Sequence, residues 1–121
     1  MRIGLVDDDF SVRRAVGRML RTYGYSCSAY ESGESALGDP EIQQMDCLVV
    51  DIHLGGISGF ELCDQLRARG LSIPHVFITA HIGSDATEWS RRAGKSIVLT
   101  KPFEESTLIA SIESSLINQY E

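Results

Sequence analysis

The sequence predicts an α/β fold in which helices cover both faces of a parallel β-sheet. Short apolar runs alternate along the chain with segments whose apolar residues recur every three or four positions. Strands and helices that alternate in this way form βα units, and the sheet they build is buried on both faces. At 121 residues, of which 43% are hydrophobic, the chain has the size of one domain with its own core. We therefore expect a single domain over residues 1–121.

The first two βα units occupy the N-terminal third of the chain. An apolar run over 3–6 predicts the first strand, and helical spacing over 10–23 predicts a helix that Gly24 ends. A strand over 25–30 and a short helix over 32–37 follow. The long helix has an apolar stripe formed by Val12, Val16, Met19 and Leu20. Its other face is basic and carries Arg13, Arg14, Arg18 and Arg21.

Three further units complete the pattern. Apolar runs over 47–50, 75–78 and 97–99 predict three more strands, which we expect to be fully buried. A helical pattern follows each strand, and glycines at 70 and 94 end the first two of these helices. The residues that mark the three helices are Leu62, Cys63 and Leu66; Ala86, Ser90 and Ala93; and Leu108, Ile109, Ile112 and Leu116.

Composition and charge narrow the function classes. A net charge of -6 argues against direct nucleic-acid binding, because contact with phosphates needs a basic patch. The apolar runs are too short to cross a membrane, and the N-terminus does not resemble a signal peptide. Cys27, Cys47 and Cys63 lack a metal-binding spacing and predict buried free thiols in a reducing compartment. We therefore expect a cytoplasmic protein without membrane contact.

Five polar residues follow the apolar runs, each at the point where a predicted strand ends. They are Asp7 and Asp8, Asp51, Thr79 and Lys101. Ligands of open parallel sheets bind in the crevice at the carboxyl ends of the strands. If the runs are neighbours in one sheet, three carboxylates, a hydroxyl and an ammonium meet at one edge. Such a group suits a hard metal ion and a phosphoryl group.

The acidic run over 7–9 has two interpretations. Mg²⁺ prefers carboxylate, water and phosphate oxygens, and a cation would relieve the repulsion between adjacent carboxylates. Alternatively, an Asp before a helix caps its first N–H groups. We assign Asp9 to the cap, and Asp7 and Asp8 to the metal.

The other three polar residues also have ordinary structural explanations. Asp51 offers a carboxylate nucleophile that can form an aspartyl phosphate, or it is a turn residue before the glycine-rich segment. Thr79 is a β-branched strand residue, and Lys101 is a solvated surface charge, unless both face the same pocket. A cis bond between Lys101 and Pro102 would aim the lysine at that pocket.

The polar residues, taken with their neighbours, make the chain resemble the receiver domain of two-component response regulators. The resemblance covers nearly all 121 residues and rests on Leu5-Val6-Asp7-Asp8-Asp9, Val49-Val50-Asp51 with Gly59 eight residues later, Ile78-Thr79-Ala80, Ala93-Gly94 and Lys101-Pro102-Phe103. It implies a flavodoxin-like, doubly wound, five-stranded parallel sheet in the order 2-1-3-4-5.

The resemblance also implies roles for the polar residues. Asp51 would be the phosphoacceptor and Asp7 and Asp8 the acidic pair. Mg²⁺ would be held by this acidic site, through Asp8, Asp51 and the backbone carbonyl of His53. Thr79 would follow the phosphoryl group, and Lys101 would pair with it.

The implied function is that of a signalling domain. A sensor histidine kinase or a histidine phosphotransfer protein would donate the phosphoryl group, and the domain would assist the transfer and its own slow dephosphorylation. Phosphorylation would switch a protein-interaction surface formed by the last helices and strand, and a homodimer would form through the same face. The interpretation leaves open whether the chain acts alone or belongs to a longer regulator or hybrid kinase.

The sequence departs from the family pattern at several positions. Leu54-Gly55 replaces the usual Met-Pro after the phosphoacceptor, which predicts a looser loop. Val98 replaces an aromatic residue that in the family swings inward on activation, a movement that valine cannot make. His53 and His81 occupy positions that influence phosphoryl lifetime in the family, although we favour ordinary loop histidines. Trp89 is either a partner contact or packs on the neighbouring helix.

Two other functions fit part of the pattern. A phosphatase similar to the haloacid dehalogenase superfamily would use the Asp-x-Asp of residues 7–9 as its nucleophile motif. That family needs an acidic pair on a further strand, whereas here Glu104 and Glu105 begin a helix, and Asp51 would have no role. A pseudo-receiver that only binds partners is the third alternative, and the complete acidic, Thr and Lys set disfavours it.

Overall fold

The sheet has five parallel strands in the order β2-β1-β3-β4-β5. The computed structural model describes residues 1–80, 91, 93, 94 and 96–118. The strands are β1 (Arg2–Val6), β2 (Ser26–Tyr30), β3 (Cys47–Asp51), β4 (His75–Thr79) and β5 (Ile97–Thr100). The described helices are α1 (Phe10–Thr22), α2 (Gly33–Leu37), α3 (Gly59–Ala68) and α4 (Glu105–Asn118). The fold class and the strand order are those that the sequence predicted.

The core lies on both faces of the sheet because successive strand residues point to opposite sides. On one face, Leu5 and Val49 pack with α1 and α4. On the other, Val6 and Val50 pack with α2 and α3. The central strand β3 is buried over its whole length, which is why its sequence is a continuous apolar run that ends in Asp51.

The register places the strand ends at one edge. Val6 of β1 pairs with Val50 of β3, and Asp51 pairs with Ile78 of β4. Thr79 pairs with Thr100 of β5, the residue before Lys101. The predicted polar residues therefore follow strand residues that are paired, or are one or two positions from being paired, at the same end of the sheet.

Capping side chains begin the helices beside this edge, and a glycine follows α1 at its other end. The Asp9 carboxylate accepts hydrogen bonds from the Ser11 and Val12 N–H groups at 2.8 and 3.4 Å, so its predicted capping role is confirmed. Ser58 and Glu61 form a reciprocal capping box at α3. The glycine after α1 has a φ of +92°, a conformation that favours glycine over other residues.

Several expectations about burial and boundaries were wrong in detail. The last strand is half-buried rather than fully buried, because β5 is an edge strand. Cys27 is also only half-buried, since β2 forms the other edge, whereas Cys47 and Cys63 are buried, and all three thiols are free. A 3-10 helix over Pro40–Gln44 was not predicted. Most of the residues that predicted a helix between β4 and β5 lie outside the described residues, and so do His81 and Trp89.

No helix among the described residues is long and apolar enough to cross a membrane.

Candidate functional site

Asp7 stands at the end of β1 with its side chain fully buried. Its backbone N–H donates to the Tyr30 carbonyl at 3.1 Å, and its own carbonyl accepts from Arg13 Nη1 at 2.7 Å. The Asp9 N–H donates to Asp7 Oδ1 at 2.8 Å. These contacts leave Asp7 Oδ2 facing the edge of the sheet.

Asp51 is the last residue of β3 and only 5% exposed. The His53 N–H donates to Asp51 Oδ1 at 2.9 Å, so the loop after the strand holds one carboxylate oxygen. The start of α3 crosses directly over this residue. A Cβ at Gly59 would overlap the Asp51 carbonyl oxygen and lie 2.9 Å from Val50 Cγ1, which explains a glycine there.

Lys101 joins the two buried carboxylates. Its Nζ donates to Asp7 Oδ2 at 2.8 Å and to Asp51 Oδ2 at 3.1 Å, and its side chain is 17% exposed. The Lys101 backbone N–H donates to the Thr79 carbonyl at 2.7 Å, which continues the pairing of β5 with β4. The Lys101-Pro102 bond is cis, the alternative that the sequence left open.

The charges of this pocket depend on one another. Burial raises the pKa of Asp51, while hydrogen bonds from the His53 N–H and from Lys101 act in the opposite direction. Burial alone would lower the pKa of Lys101, but its hydrogen bonds to Asp7 and Asp51 raise it above its ordinary value. The lysine is therefore held as a cation between the side chains of Asp7 and Asp51.

The acidic side chains also form a group that suits a divalent cation. Asp7, Asp8 and Asp51 each offer an oxygen, and these oxygens lie within 4.8 Å of one another. Three carboxylates against one ammonium leave two negative charges, and an oxygen-only set is typical of Mg²⁺, Ca²⁺ or Mn²⁺ sites. Asp8 is exposed, so the group opens to solvent on that side.

The structure brings four of the predicted site residues into one pocket, and it places Thr79 and the His53 side chain less directly against that pocket. Asp7, Asp8, Asp51 and Lys101 share one pocket. Thr79 is buried at the end of β4, and its described contact to the pocket is the backbone bond to Lys101. The His53 side chain is exposed, and its backbone N–H is what contacts Asp51.

Sequence reasoning missed two residues that support the pocket from outside. Arg13 secures the Asp7 backbone, although the helical pattern placed it on a solvent-facing surface. Glu34 of α2 accepts a hydrogen bond from the Ile57 N–H in the loop after Asp51, at 3.3 Å. Neither contact follows from local spacing. The sequence predicted only a short helix over 32–37, without a role for Glu34.

Residues 3–113 match the response regulator receiver domain family. The chain belongs to this family. A receiver domain is a signalling domain of two-component systems, and the acidic group at the edge of the sheet is consistent with a phosphoacceptor function. The phosphatase alternative leaves Asp51 unused, whereas here Asp51 lies in the middle of the pocket and Asp9 is committed to capping α1.

Curated relatives of this receiver domain include transcriptional regulators. The chain is 32% identical to the DNA-binding transcriptional regulator NtrC of Klebsiella pneumoniae, over 97% of the chain and 25% of that protein. It is 31% identical to the response regulator protein TodT of Pseudomonas putida, over 94% of the chain and 50% of that protein. The receiver domain thus spans a quarter to a half of the length of these relatives.

Solved structures of response regulators are similar in fold to this receiver domain. The response regulator StyR has a TM-score of 0.84 and 38% identity, over 97% of this receiver domain and 59% of that chain. The response regulator protein TrrA of Thermotoga maritima, solved in complex with Mg²⁺-BeF, has a TM-score of 0.81 and 27% identity, over 95% of this chain and 98% of that one.

Proposed function

We propose that Asp51 is the residue that accepts the phosphoryl group, with Lys101 and the acidic pair as its partners. One observation carries this proposal: the buried Asp51 carboxylate accepts from Lys101 and lies within 4.8 Å of the carboxylate oxygens of Asp7 and Asp8. This arrangement places a nucleophile, a fixed cation and a cation-binding group in one pocket. Phosphoryl transfer depends mostly on such positioning and on charge stabilisation.

Asp7, Asp8, Asp51 and the backbone carbonyl of His53 are the groups that we propose hold Mg²⁺. The oxygen-only donor set and the two uncompensated negative charges fit this ion. The relative TrrA, whose solved complex contains Mg²⁺-BeF, supports the same choice. When bound, Mg²⁺ would neutralise phosphoryl oxygens and so lower the repulsion between the incoming group and the pocket.

The transfer step then needs few other groups. An Asp51 oxygen forms a bond to phosphorus while the bond from phosphorus to the donor's histidine nitrogen breaks, and the nitrogen keeps that electron pair. Lys101 lies within hydrogen-bond distance of Asp51 and would shift from the carboxylates to a phosphoryl oxygen. The Thr79 hydroxyl, at the end of the neighbouring strand, would donate a hydrogen bond to another phosphoryl oxygen.

Hydrolysis returns the domain to its starting state. A water attacks phosphorus, the bond to Asp51 breaks, and inorganic phosphate leaves as the carboxylate reforms. We propose that this step is slow because Lys101 and backbone N–H groups engage the carboxylates of Asp7 and Asp51, which makes both carboxylates weaker bases toward an attacking water. The domain therefore assists its own phosphorylation and dephosphorylation without being a dedicated enzyme.

We propose a sensor histidine kinase or a histidine phosphotransfer protein in the cytoplasm as the donor. Family membership and the three free cysteines support this setting. A homodimer through the face of β5 and its flanking helices stays a prediction, since part of that face lies outside the described residues. The net charge of -6 supports signalling by protein contact rather than direct nucleic-acid binding by this chain.

Phosphodonor labelling tests the proposal. The protein is incubated with acetyl phosphate and Mg²⁺, and the modified residue is mapped by mass spectrometry after digestion. We expect acid-stable, base-labile modification at Asp51 that a chelator abolishes. Asp51→Asn should remove it, whereas Asp64→Asn, which changes an exposed carboxylate on α3, should leave it intact.

Modification at Asp7 instead would support the hydrolase alternative. The pseudo-receiver alternative would hold if Asp51→Asn changed no partner affinity with or without phosphodonor.

A further inference from the structure

The loop that follows Asp51 is attached to the sheet at its start, and its end is bonded back to that start. It runs over 52–58 between β3 and α3. At its start, the Ile52 N–H donates to the Ile78 carbonyl at 2.9 Å, and at its end the Gly59 N–H donates to the Ile52 carbonyl at 3.0 Å. These bonds hold the base of the loop but do not reach its middle. The middle contains Gly55 and Gly56, two residues with unusually free backbones.

The short helix α2 contacts that middle segment. Glu34 Oε2 accepts from the Ile57 N–H at 3.3 Å. The same carboxylate lies against the Gly56 backbone, because a Cβ at Gly56 would overlap Glu34 Oε2 and lie 2.9 Å from Oε1. Gly56 has a φ of +98°, so glycine is required there for two separate reasons.

A second contact reinforces the first. A Cβ at Gly33 would lie 2.6 Å from Ile57 Cγ1, so the Ile57 side chain rests directly on the first turn of α2. Ile57 also packs on the hydrophobic cluster that includes α2 and α3. Backbone and side chain of Ile57 are therefore both held by α2, one by a hydrogen bond and the other by apolar contact.

We propose that Glu34 is a positioning residue for the phosphoacceptor site. Its carboxylate holds the glycine-rich loop in one conformation, and with it the His53 backbone that contacts Asp51 and carries the carbonyl assigned to Mg²⁺. The sequence predicted a looser loop here than is usual in the family, and Glu34 would secure it from the neighbouring helix. The link to Mg²⁺ and to phosphorylation rests on the function proposed above, while the link to the loop does not.

Three variants at two positions separate this role from a general effect of charge. Glu34→Ala removes the acceptor, whereas Glu34→Gln keeps an oxygen at the same place. Gly56→Ala should displace the Glu34 carboxylate from the opposite side. The matched controls are Glu31→Ala, an exposed glutamate just before α2, and Gly55→Ala, whose Cβ would meet no heavy atom within 4 Å.

The first readout is amide hydrogen exchange of Ile57 in metal-free protein. We expect roughly fivefold faster exchange in E34A, the change typical of losing one exposed hydrogen bond, and less than about twofold in E34Q. G56A should resemble E34A, and both controls should resemble the wild type. Equal exchange at Ile57 in E34A and E31A would overturn the proposal.

The second readout is the affinity for Mg²⁺, measured by titrating the protein with Mg²⁺ and following the NMR signals of the loop amides. We expect a roughly tenfold higher dissociation constant in E34A, the lower end of the effect of groups that orient metal ligands. Phosphorylation by acetyl phosphate at fixed Mg²⁺ should slow in parallel. If the wild type is labelled at Asp51 and E34A keeps its Mg²⁺ affinity and rate, this inference fails while the proposed function stands. If the wild type is never labelled at Asp51, the proposed function fails, and the exchange at Ile57 still decides whether Glu34 holds the loop.

Discussion

Replacing Lys101 with methionine tests whether the lysine is a structural partner of the buried carboxylates as well as a phosphoryl ligand. Methionine keeps an unbranched apolar chain that ends one atom short of the lysine nitrogen, and so removes the ammonium. Asp7, which is fully buried, and Asp51, which is 5% exposed, then lose their shared cation. An ionised carboxylate that loses its partner in a buried site is strongly destabilising.

The expected cost is about 2–3 kcal/mol in the free energy of unfolding. Breaking a fully buried ion pair costs about 3–5 kcal/mol, and the Lys101 side chain is 17% exposed, so water compensates in part. Both carboxylates also keep a backbone N–H donor, from Asp9 and His53, which limits the loss. For a domain of this size the melting temperature should fall by roughly 10 °C.

Chemical denaturation of Lys101→Met in the presence of a chelator measures this cost. Arg18→Met, which removes an exposed cation from α1, is the matched control and should change stability by less than about 0.5 kcal/mol. In an Asp51→Asn background, the cost of K101M should shrink, because one of the two carboxylates is gone. Saturating Mg²⁺ should also reduce the cost, since the ion then compensates the same charges. A K101M cost no larger than that of R18M, or one unaffected by Asp51→Asn, would refute this account of the pocket.

Three further predictions concern Asp51, His75 and Gly59. Because burial raises the pKa of Asp51, ionisation of this side chain lowers the stability of the fold as the pH rises above about 4. The Asp51→Asn variant should therefore unfold at a higher denaturant concentration than the wild type at neutral pH without Mg²⁺. This gain in stability should disappear in acid. Burial lowers the pKa of His75, so the neutral side chain stabilises the fold above about pH 6.5, and this contribution is lost as the pH falls. The His75→Gln variant should therefore show a flatter dependence of stability on pH between about pH 5 and 7. An unchanged slope would contradict this prediction. Gly59→Ala should cost about 2 kcal/mol through overlap with the Asp51 carbonyl, while Gly55→Ala should cost little, as compared by thermal unfolding.

The positions of the site residues could be predicted because each follows a local signal. Parallel strands end at one edge, so residues directly after apolar runs meet there, and this placed Asp7, Asp51 and Lys101 correctly. The same reasoning identified Asp9 as a cap, since capping depends on the two or three residues that follow it.

Other features depend on contacts that no local pattern encodes. The half-burial of β5 follows from its place at the edge of the sheet, whereas its apolar sequence alone resembles that of a central strand. The bond between Ile57 and Glu34 joins residues 23 positions apart and arises from the way α2 packs beside α3. Arg13 was assigned to solvent because helical periodicity shows which face a residue occupies, not that a long side chain can reach back to Asp7.

A crystal structure of the protein with Mg²⁺ and fluoroberyllate tests the central claim most directly. We predict beryllium bonded to an Asp51 oxygen, the Lys101 ammonium on a fluoride, and Mg²⁺ held by Asp7, Asp8, Asp51 and the His53 carbonyl. Beryllium on Asp7, or a metal ion bound away from the Asp51 carboxylate, would contradict the proposed chemistry.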